Sequence, residues 1–260
     1  MPTELPPELL LAIDRFAALD PVLVATDFDG VLAPLVDDPA DSRPLEGSVA
    51  LLETLARAGT PAALVSGRDL ASLRAVAGVP AGSPVILIGS HGAESSVELD
   101  LGATLDERAL QRLADTVAVV TRIAEQHPPV RLEHKPAGIV LHTRGVVPEV
   151  AEPATTAALR VPEEVAGVHA MRGKDVVELS VLPVSKGQAL QALSRRLGVA
   201  ATLYQGDDVT DETAFAALRD DERNVTIKVG AGETLAGLRV AGPPEAVATL
   251  RAVAERRTAG

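Results

Sequence analysis

The chain has 260 residues, enough for one large domain or two small ones. Its 24 basic and 36 acidic side chains give a formal charge of −12, which argues against a protein that binds nucleic acid phosphates. Cysteine is absent, so thiol catalysis, disulfides and zinc–thiolate sites are excluded. Aromatic residues make up only 2% of the chain, and the core must therefore be aliphatic.

Hydrophobic patterning gives no sign of a membrane segment. The longest uncharged stretch, residues 75–93, carries glycine and proline throughout, which disfavours a spanning helix. The N-terminal residues are acidic where a secretory signal would be basic. These features predict a cytoplasmic protein without membrane association.

Apolar runs and helical repeats alternate in the first hundred residues. The sequence VLVAT, Val22–Thr26, is typical of a strand buried on both faces, and it ends at DFDG. The prolines at positions 6 and 7 suit a helix start, and Asp69 is placed to cap a short helix. The other predicted elements are helices over 7–19 and 45–58 and strands over 61–65 and 84–89. This alternation predicts a parallel sheet with right-handed crossovers.

The middle of the chain has a different order of elements. A long helix is predicted over 106–126, with an apolar face formed by Leu110, Leu113, Val117, Val120 and Ala124. Strands are predicted over 130–133, 139–142, 169–171 and 176–181, with a second helix over 149–159. This order suits a small sheet with its helices on one face.

The alternating pattern resumes at residue 185. Helices are predicted over 186–197, 210–218 and 243–257, and strands over 202–206 and 225–229. The complete pattern predicts an α/β protein with a Rossmann-like parallel sheet formed by residues 1–101 and 183–260. A smaller α/β domain is inserted at 102–182.

Polar residues of one chemical theme follow the predicted strands. Carboxylates come after the first strand and a later one, a serine follows the second strand, and a lysine opens a helix. These residues are Asp27, Asp29, Ser66, Lys186, Asp207, Asp208 and Asp211. In an open parallel sheet such positions share one edge. Several carboxylates at one point repel unless a cation lies among them, and an all-oxygen donor set favours Mg²⁺.

Phosphoryl transfer is the chemistry that this set suits. Asp27 is the candidate nucleophile, which the cation keeps ionised and which would form an aspartyl-phosphate. Asp29 is the candidate acid that protonates the leaving alcohol and then activates water. Ser66 and Lys186 would hold the phosphoryl group, and Gly30 would let the backbone approach it.

Each residue taken alone also has an ordinary structural interpretation. An Asp-x-Asp-Gly sequence is common in turns and caps, and Thr210 or Asp211 could be the N-cap of the following helix. Lys186 could be a surface lysine, and Ser66-Gly67 a simple turn. Their joint occurrence at strand ends, in order, favours the functional interpretation.

These motifs resemble those of the haloacid-dehalogenase-like phosphohydrolases over the whole chain. DFDGV corresponds to the first motif, VSGR with Ser66 to the second, Lys186 to the third and GDDVTDE to the fourth. Within that superfamily the sequence is similar to the trehalose-6-phosphate phosphatase family through DFDGVLAPL, SGRD, GSHGAE and GDDVTDE. It departs at Ser90, where asparagine is the more familiar residue before HGAE.

The resemblance implies a haloacid-dehalogenase-type core and a Mg²⁺-dependent phosphatase that hydrolyses trehalose 6-phosphate to trehalose and phosphate. It makes Asp27 the nucleophile and Asp29 the acid and base. The phosphate-binding residues are then Ser66, Gly67 and Lys186. The metal ligands are Asp27, Asp207 and the carbonyl oxygen of Asp29, with support from Asp208 and Asp211.

The resemblance also makes the inserted domain a cap that closes over the sugar and excludes water. The sugar-binding residues of this domain would be Glu133, Lys135, Arg144, Lys174 and Glu178. Arg68 of the core lies beside the phosphate region; it is counted with the sugar-binding residues and would attract an anionic substrate. Ion pairs on a solvated face, Glu133 with Lys135 and Lys174 with Glu178, are the alternative interpretation.

Other functions compete with this one. The substrate could be another sugar phosphate, such as sucrose 6-phosphate or a mannosyl phosphoglycerate, or the chain could be a non-catalytic sugar-phosphate-binding module. A dinucleotide site lacks support because no strand precedes a G-x-G-x-x-G sequence. The predicted partner is a small sugar phosphate, and a trehalose-phosphate synthase is the candidate protein partner.

Overall fold

Two units make up the chain in the computed structural model, which describes residues 4–36, 38–102, 105–173, 175–182 and 184–258. The core unit consists of Met1–Leu101 and Val184–Gly260, and the inserted unit of Gly102–Pro183.

The elements lie close to their predicted positions. The strands are β1 (Val22–Thr26), β2 (Ala62–Val65), β3 (Ile86–Gly89), β4 (Glu94–Ser95), β5 (Arg131–Lys135), β6 (Gly138–His142), β7 (His169–Gly173), β8 (Val176–Ser180), β9 (Ala201–Gly206), β10 (Val225–Val229) and β11 (Leu238–Val240). The helices are α1 (Pro7–Ala17), α2 (Ser48–Arg57), α3 (Leu70–Ala77), α4 (Glu107–Gln126), α5 (Pro148–Leu159), α6 (Val161–Glu164), α7 (Lys186–Leu197), α8 (Glu212–Leu218) and α9 (Pro243–Thr258). The short elements β4, β11 and α6 were not predicted.

The core unit is built on a sheet with strand order β11-β10-β9-β1-β2-β3-β4. All neighbours are parallel except the β3–β4 edge pair, which confirms the predicted parallel sheet. Strand β1 lies in the middle and is buried on both faces, as its unbroken apolar run predicts. Val22 and Val24 join the core on the side of α1, α2 and α9, whereas Leu23 and Ala25 join the core on the side of α7 and α8.

Local capping fixes two helices that border the site. The Asp69 carboxylate accepts a hydrogen bond from the Ser72 N–H at 2.8 Å, which confirms the predicted N-cap of α3. The Ser185 hydroxyl does the same for the Gln188 N–H, so α7 begins at Lys186.

The inserted unit is an antiparallel sheet of order β5-β6-β8-β7. One face carries Ile139, Leu141, Val177 and Leu179, which are fully buried, and helices α4 and α5 contact these strands. The register places Glu133, Val140 and Glu178 in one row across the other face. Polar residues therefore share the face opposite the apolar one.

The predicted apolar face of α4 was correct at Val120 and elsewhere displaced by about one residue around the helix. The buried residues are Ala109, Thr116, Val120 and Ile123, and the predicted Leu110 is 53% exposed. Apolar residues lie both on the predicted stripe of the helix and on the stripe next to it. The sequence alone therefore does not define which stripe is buried, and the packing partner decides it. No helix among the described residues has the length and apolarity needed to span a bilayer.

Candidate active site

Three neighbouring strands of the core sheet end at the predicted site residues. Strands β9, β1 and β2 are adjacent and parallel, and they are followed by Asp207, Asp27 and Ser66. The Asp27 N–H donates to the Gln205 carbonyl at 2.9 Å, which extends the β1–β9 pairing into the site. The sheet order thus brings residues far apart in the sequence to one edge.

An acidic trio lies at this edge. One carboxylate oxygen each of Asp27, Asp207 and Asp211 lies within 4.8 Å of the other two. A Cβ atom on Gly30 would lie 2.0 Å from Oδ2 of Asp207, so only glycine allows this carboxylate to approach the loop after β1. Three oxygen donors at this separation suit a hard divalent cation.

Lys186 connects two members of the trio. Its ammonium nitrogen lies 2.9 Å from Oδ2 of Asp27 and 2.8 Å from Oδ1 of Asp211, and its side chain is 1% exposed. Burial by itself lowers the pKa of Lys186, but the carboxylates of Asp211 and Asp27 outweigh it and raise that pKa above its ordinary value. Lys186 therefore stays charged and can accept a negatively charged ligand beside Asp27.

The acids differ in how readily they ionise. Burial, followed by the charges of Asp211 and Asp208, raises the pKa of Asp207 to about 7. Burial also raises the pKa of Asp27, against the opposing effect of Lys186. Burial by itself would raise the pKa of Asp208, but the charge of Lys186 and the hydrogen bonds from Thr210 lower that pKa to about 2. Added positive charge at the trio would favour the ionised forms of Asp27 and Asp207.

Two predicted metal-site carboxylates have other partners. The Asp29 carboxylate accepts hydrogen bonds from the Arg68 guanidinium at 2.7 and 2.8 Å and from the Ser42 hydroxyl at 2.9 Å. The Asp208 carboxylate accepts the N–H and the hydroxyl of Thr210 at 2.8 and 2.6 Å. Both side chains lie outside the trio of Asp27, Asp207 and Asp211.

Asp211 anchors the loop before α8. Its carboxylate accepts four hydrogen bonds: from Lys186, from the Tyr204 hydroxyl at 2.5 Å, and from the backbone N–H groups of Asp207 and Asp208 at 2.8 and 3.0 Å. Asp211 occupies the N-cap position of α8, but its side chain makes no capping bond. The interpretation of Asp211 as the N-cap is therefore confirmed for its position and wrong for its side chain, because the carboxylate turns into the site.

Three further side chains did not stand out in the sequence. Tyr204 and Lys228 are both buried, the first bonded to Asp211 and the second donating its ammonium to the carbonyl of Asp207. Ser42 orients Asp29 from the loop after β1. Lys228 carried a detectable signal, since it is a charge inside the apolar run VTIKV. Tyr204 and Ser42 carried none, because each bonds to a partner across a loop whose path the sequence does not define.

Ser66 lies in the loop after β2 and is 2% exposed. Its N–H donates to the Ile88 carbonyl at 2.9 Å, and its hydroxyl accepts the Arg68 N–H at 3.2 Å. The Arg68 guanidinium carbon lies 5.9 Å from the centre of the Phe28 ring. The loop 66–68 is thus tied both to β3 and to the loop after β1.

Three of the predicted sugar-binding residues, Glu133, Lys135 and Glu178, lie on the polar face of the inserted unit. Lys135 pairs with Glu178 at 3.7 Å, and Glu133 pairs with His142 at 2.8 Å. Arg144 follows β6, and Lys174 lies outside the described residues.

Comparison with known proteins adds to this geometry. Residues 25–242 match the family described as Trehalose-phosphatase. The chain belongs to the trehalose-phosphatase family. A trehalose-phosphate phosphatase of Mycobacterium avium is 35% identical over 209 residues, which is 74% of this chain and 50% of the relative. The chain therefore spans about half the length of the curated relatives it matches.

Solved structures share the fold of the family. The C-terminal domain of a Candida albicans trehalose-6-phosphate phosphatase aligns with a TM-score of 0.76 at 22% identity, over 95% of this chain and 96% of that one. The C-terminal domain of a Candida albicans trehalose synthase regulatory protein aligns with a TM-score of 0.69 at 18% identity, over 93% and 97%. Since a protein named as regulatory has the same fold, the fold alone does not indicate catalysis, and the residues of the site must do so.

Proposed function

We propose that this chain is a Mg²⁺-dependent phosphatase that hydrolyses trehalose 6-phosphate to trehalose and phosphate through an aspartyl-phosphate. The observation that carries the proposal is the pairing of Asp27 with Lys186 at 2.9 Å beside two further carboxylates at the strand ends. Phosphoryl transfer needs a nucleophile and a group that binds the phosphate anion. The buried carboxylate of Asp27 can be the first, and the fixed ammonium of Lys186 the second.

The acidic trio fits Mg²⁺. Asp27 and Asp207 would hold the ion together with the carbonyl oxygen of Asp29, and Asp208 and Asp211 would support them. All these donors are oxygen atoms, which hard divalent cations prefer. When bound, the ion would offset the repulsion among the carboxylates and the charge of the phosphoryl oxygens.

The remaining steps use groups of the chain itself. Asp27 would attack phosphorus, so that a carboxylate–phosphorus bond forms as the bond from phosphorus to the sugar oxygen breaks. To act as the acid, Asp29 would exchange its contact with Arg68 for a proton and give that proton to the sugar oxygen. Asp29 would then take a proton from a water that attacks phosphorus as the bond from phosphorus to the Asp27 oxygen breaks. Lys186, the Ser66 hydroxyl and the Gly67 backbone would hold the phosphoryl oxygens meanwhile.

Specificity for the sugar would come from the inserted unit. A disaccharide presents many hydroxyl groups, and charged side chains in fixed pairs can recognise their positions. The pair of Lys135 and Glu178 supports this role, since their side chains are 9% and 16% exposed. We assign sugar contacts to Glu133, Lys135, Arg144, Lys174 and Glu178, and attraction of the anionic substrate to Arg68.

A cytoplasmic enzyme agrees with the lack of cysteine, since the chain has no disulfide that a reducing compartment would threaten. A trehalose-phosphate synthase, which would supply the substrate, is the candidate protein partner.

Phosphate release from a panel of sugar phosphates, with Mg²⁺ and with EDTA, tests the proposal. Trehalose 6-phosphate is expected to be the best substrate and EDTA to stop its hydrolysis. Asp27→Asn should lower turnover at least about a thousandfold while circular dichroism stays native, since the amide is not a competent nucleophile. Mg²⁺-dependent turnover that prefers another sugar phosphate would refute the substrate, and turnover retained in Asp27→Asn would refute the nucleophile.

A further inference from the structure

The turn Ser90–Gly92, which follows β3, has an unusual backbone. Ser90 and His91 have φ values of 47° and 53°, in the left-handed region. Among the described residues only one other non-glycine residue, Asp175, has a positive φ. Such conformations are unfavourable for residues other than glycine and persist where surrounding contacts impose them.

One side of this turn is fixed to the loop 66–68. The Ser90 N–H donates to the Arg68 carbonyl at 2.7 Å, and the His91 N–H donates to the Ser66 carbonyl at 3.0 Å. The imidazole of His91 lies against Gly67, because a Cβ atom there would be 2.5 Å from Cε1 and 2.6 Å from Nε2. The ring thus occupies the space that a side chain at position 67 would need.

The other side of the turn rests on the start of α7. A Cβ atom on Gly92, whose φ is 113°, would lie 2.9 Å from the carbonyl oxygen of Ser185. Ser185 caps the helix that begins with Lys186. The turn is therefore packed between the loop that carries Ser66 and the helix end that carries Lys186.

We propose that the turn Ser90–Gly92 sets the geometry of the phosphate subsite, with His91 as a positioning residue that holds the loop 66–68 in place. The inference rests on the proposed function, in which Ser66 and Lys186 bind one phosphoryl group. The left-handed backbone at residues 90 and 91 is what aims two successive N–H groups at the loop while the ring covers Gly67.

Two single variants and their combination test this role in the full chain. His91→Ala removes the ring, and Gly67→Ala forces a methyl group into it. Each should lower kcat/KM for trehalose 6-phosphate about 10- to 100-fold and weaken inhibition by inorganic phosphate about tenfold, because small displacements of binding groups are costly. In Gly67→Ala/His91→Ala the methyl group fits the vacated space, so activity should recover at least about tenfold over Gly67→Ala.

Two controls separate positioning from general damage. The affinity for Mg²⁺ should stay within about twofold in all three variants, since the acidic trio lies on other loops. His127→Ala, at the end of α4, should change neither the phosphate inhibition constant nor turnover.

Additive losses in the double variant, or an unchanged phosphate inhibition constant in His91→Ala, would overturn the positioning role. If Gly67→Ala does not fold, recovery of the fold in the double variant supports the steric role of the ring, and failure of both to fold contradicts it. A wild-type chain that hydrolyses no sugar phosphate refutes the proposed function instead. Calorimetric binding of inorganic phosphate to wild type and His91→Ala then still tests the positioning.

Discussion

Asp207 would make the proposed Mg²⁺ binding sensitive to pH. Its pKa is raised to about 7 in the metal-free protein, so a proton competes with the cation below that pH. Raising the pH frees the carboxylate, and the apparent dissociation constant for Mg²⁺ should fall about tenfold between pH 6 and pH 8. Isothermal titration of Mg²⁺ at both pH values measures this change.

Asp221 offers a matched control for that experiment. Its exposed carboxylate pairs with Arg223 at 2.7 Å, away from the trio. Asp221→Asn should keep the tenfold pH effect, whereas Asp207→Asn should lose Mg²⁺ binding itself. A dissociation constant that does not change with pH would contradict the role given to Asp207.

The backbone conformation of Ser90 should have a measurable cost in folding stability. Its φ of 47° is better tolerated by asparagine than by serine, and its buried hydroxyl has no hydrogen-bond partner among the described residues. Ser90→Asn should therefore raise the free energy of unfolding by about 0.5–1 kcal/mol, and Ser90→Val should lower it by about 2 kcal/mol or more. Urea denaturation compares the two, and a variant order opposite to this one would contradict the strain.

Single residues differ in how far their sequence neighbours reveal them. Asp27, Ser66 and Asp207 could be found because each follows an apolar run that must be a strand. Tyr204 could not, because its partner Asp211 lies across a loop whose path depends on tertiary packing. The partners of Asp29 were unforeseen for the same reason, since Arg68 comes from the loop after β2 and Ser42 from thirteen residues further along the loop after β1.

At the level of elements, the proposed function assigns recognition of the sugar to the inserted sheet and the chemistry to the core sheet. Lys135→Met or Glu178→Gln removes the ion pair that spans β5, β6 and β8. We expect kcat/KM for trehalose 6-phosphate to fall about 30- to 100-fold, with less than about threefold change for an aryl phosphate that lacks the sugar.

Arg172 gives a control on the same sheet. It pairs with Glu152 of α5 at 3.0 Å and belongs to the register row that includes the buried Val177. Arg172→Gln should leave both substrates unaffected within about twofold. Equal losses on both substrates in the Lys135 and Glu178 variants would show that the pair supports the fold and does not recognise the sugar.

Elements were predictable where burial is complete and harder to predict where it is partial. Strands β1 and β10 and helix α7 have the predicted bounds, because apolar runs and a cap define them. Strand β11 is only three residues long, with Val240 buried and Arg239 exposed, so its sequence is too short to show a strand pattern. In α4 the apolar residues cover two adjacent stripes, and only contact with the sheet selects one of them.

For the whole molecule, Mg²⁺ should stabilise the core unit. Tyr204 is the single tyrosine, tryptophan is absent, and the ring is buried beside Asp211, so tyrosine emission reports on the core unit. At a Mg²⁺ concentration ten times its dissociation constant, linkage predicts about 1.4 kcal/mol, a rise of about 3–5 °C in the melting midpoint. Thermal scans with Mg²⁺ and with EDTA measure it, and Asp207→Asn should abolish the rise. An equal rise in that variant would place the ion elsewhere.

The order of the sheet also governs how the chain can assemble during translation. Strand β1 lies between β2, made shortly after it, and β9, made only after the whole inserted unit. During synthesis on the ribosome, the β1 backbone groups that face β9 therefore lack their hydrogen-bond partners until the intervening residues have emerged. Nascent chains that stall within this interval would expose an apolar strand edge. We therefore expect chaperones to bind such chains at the central strand.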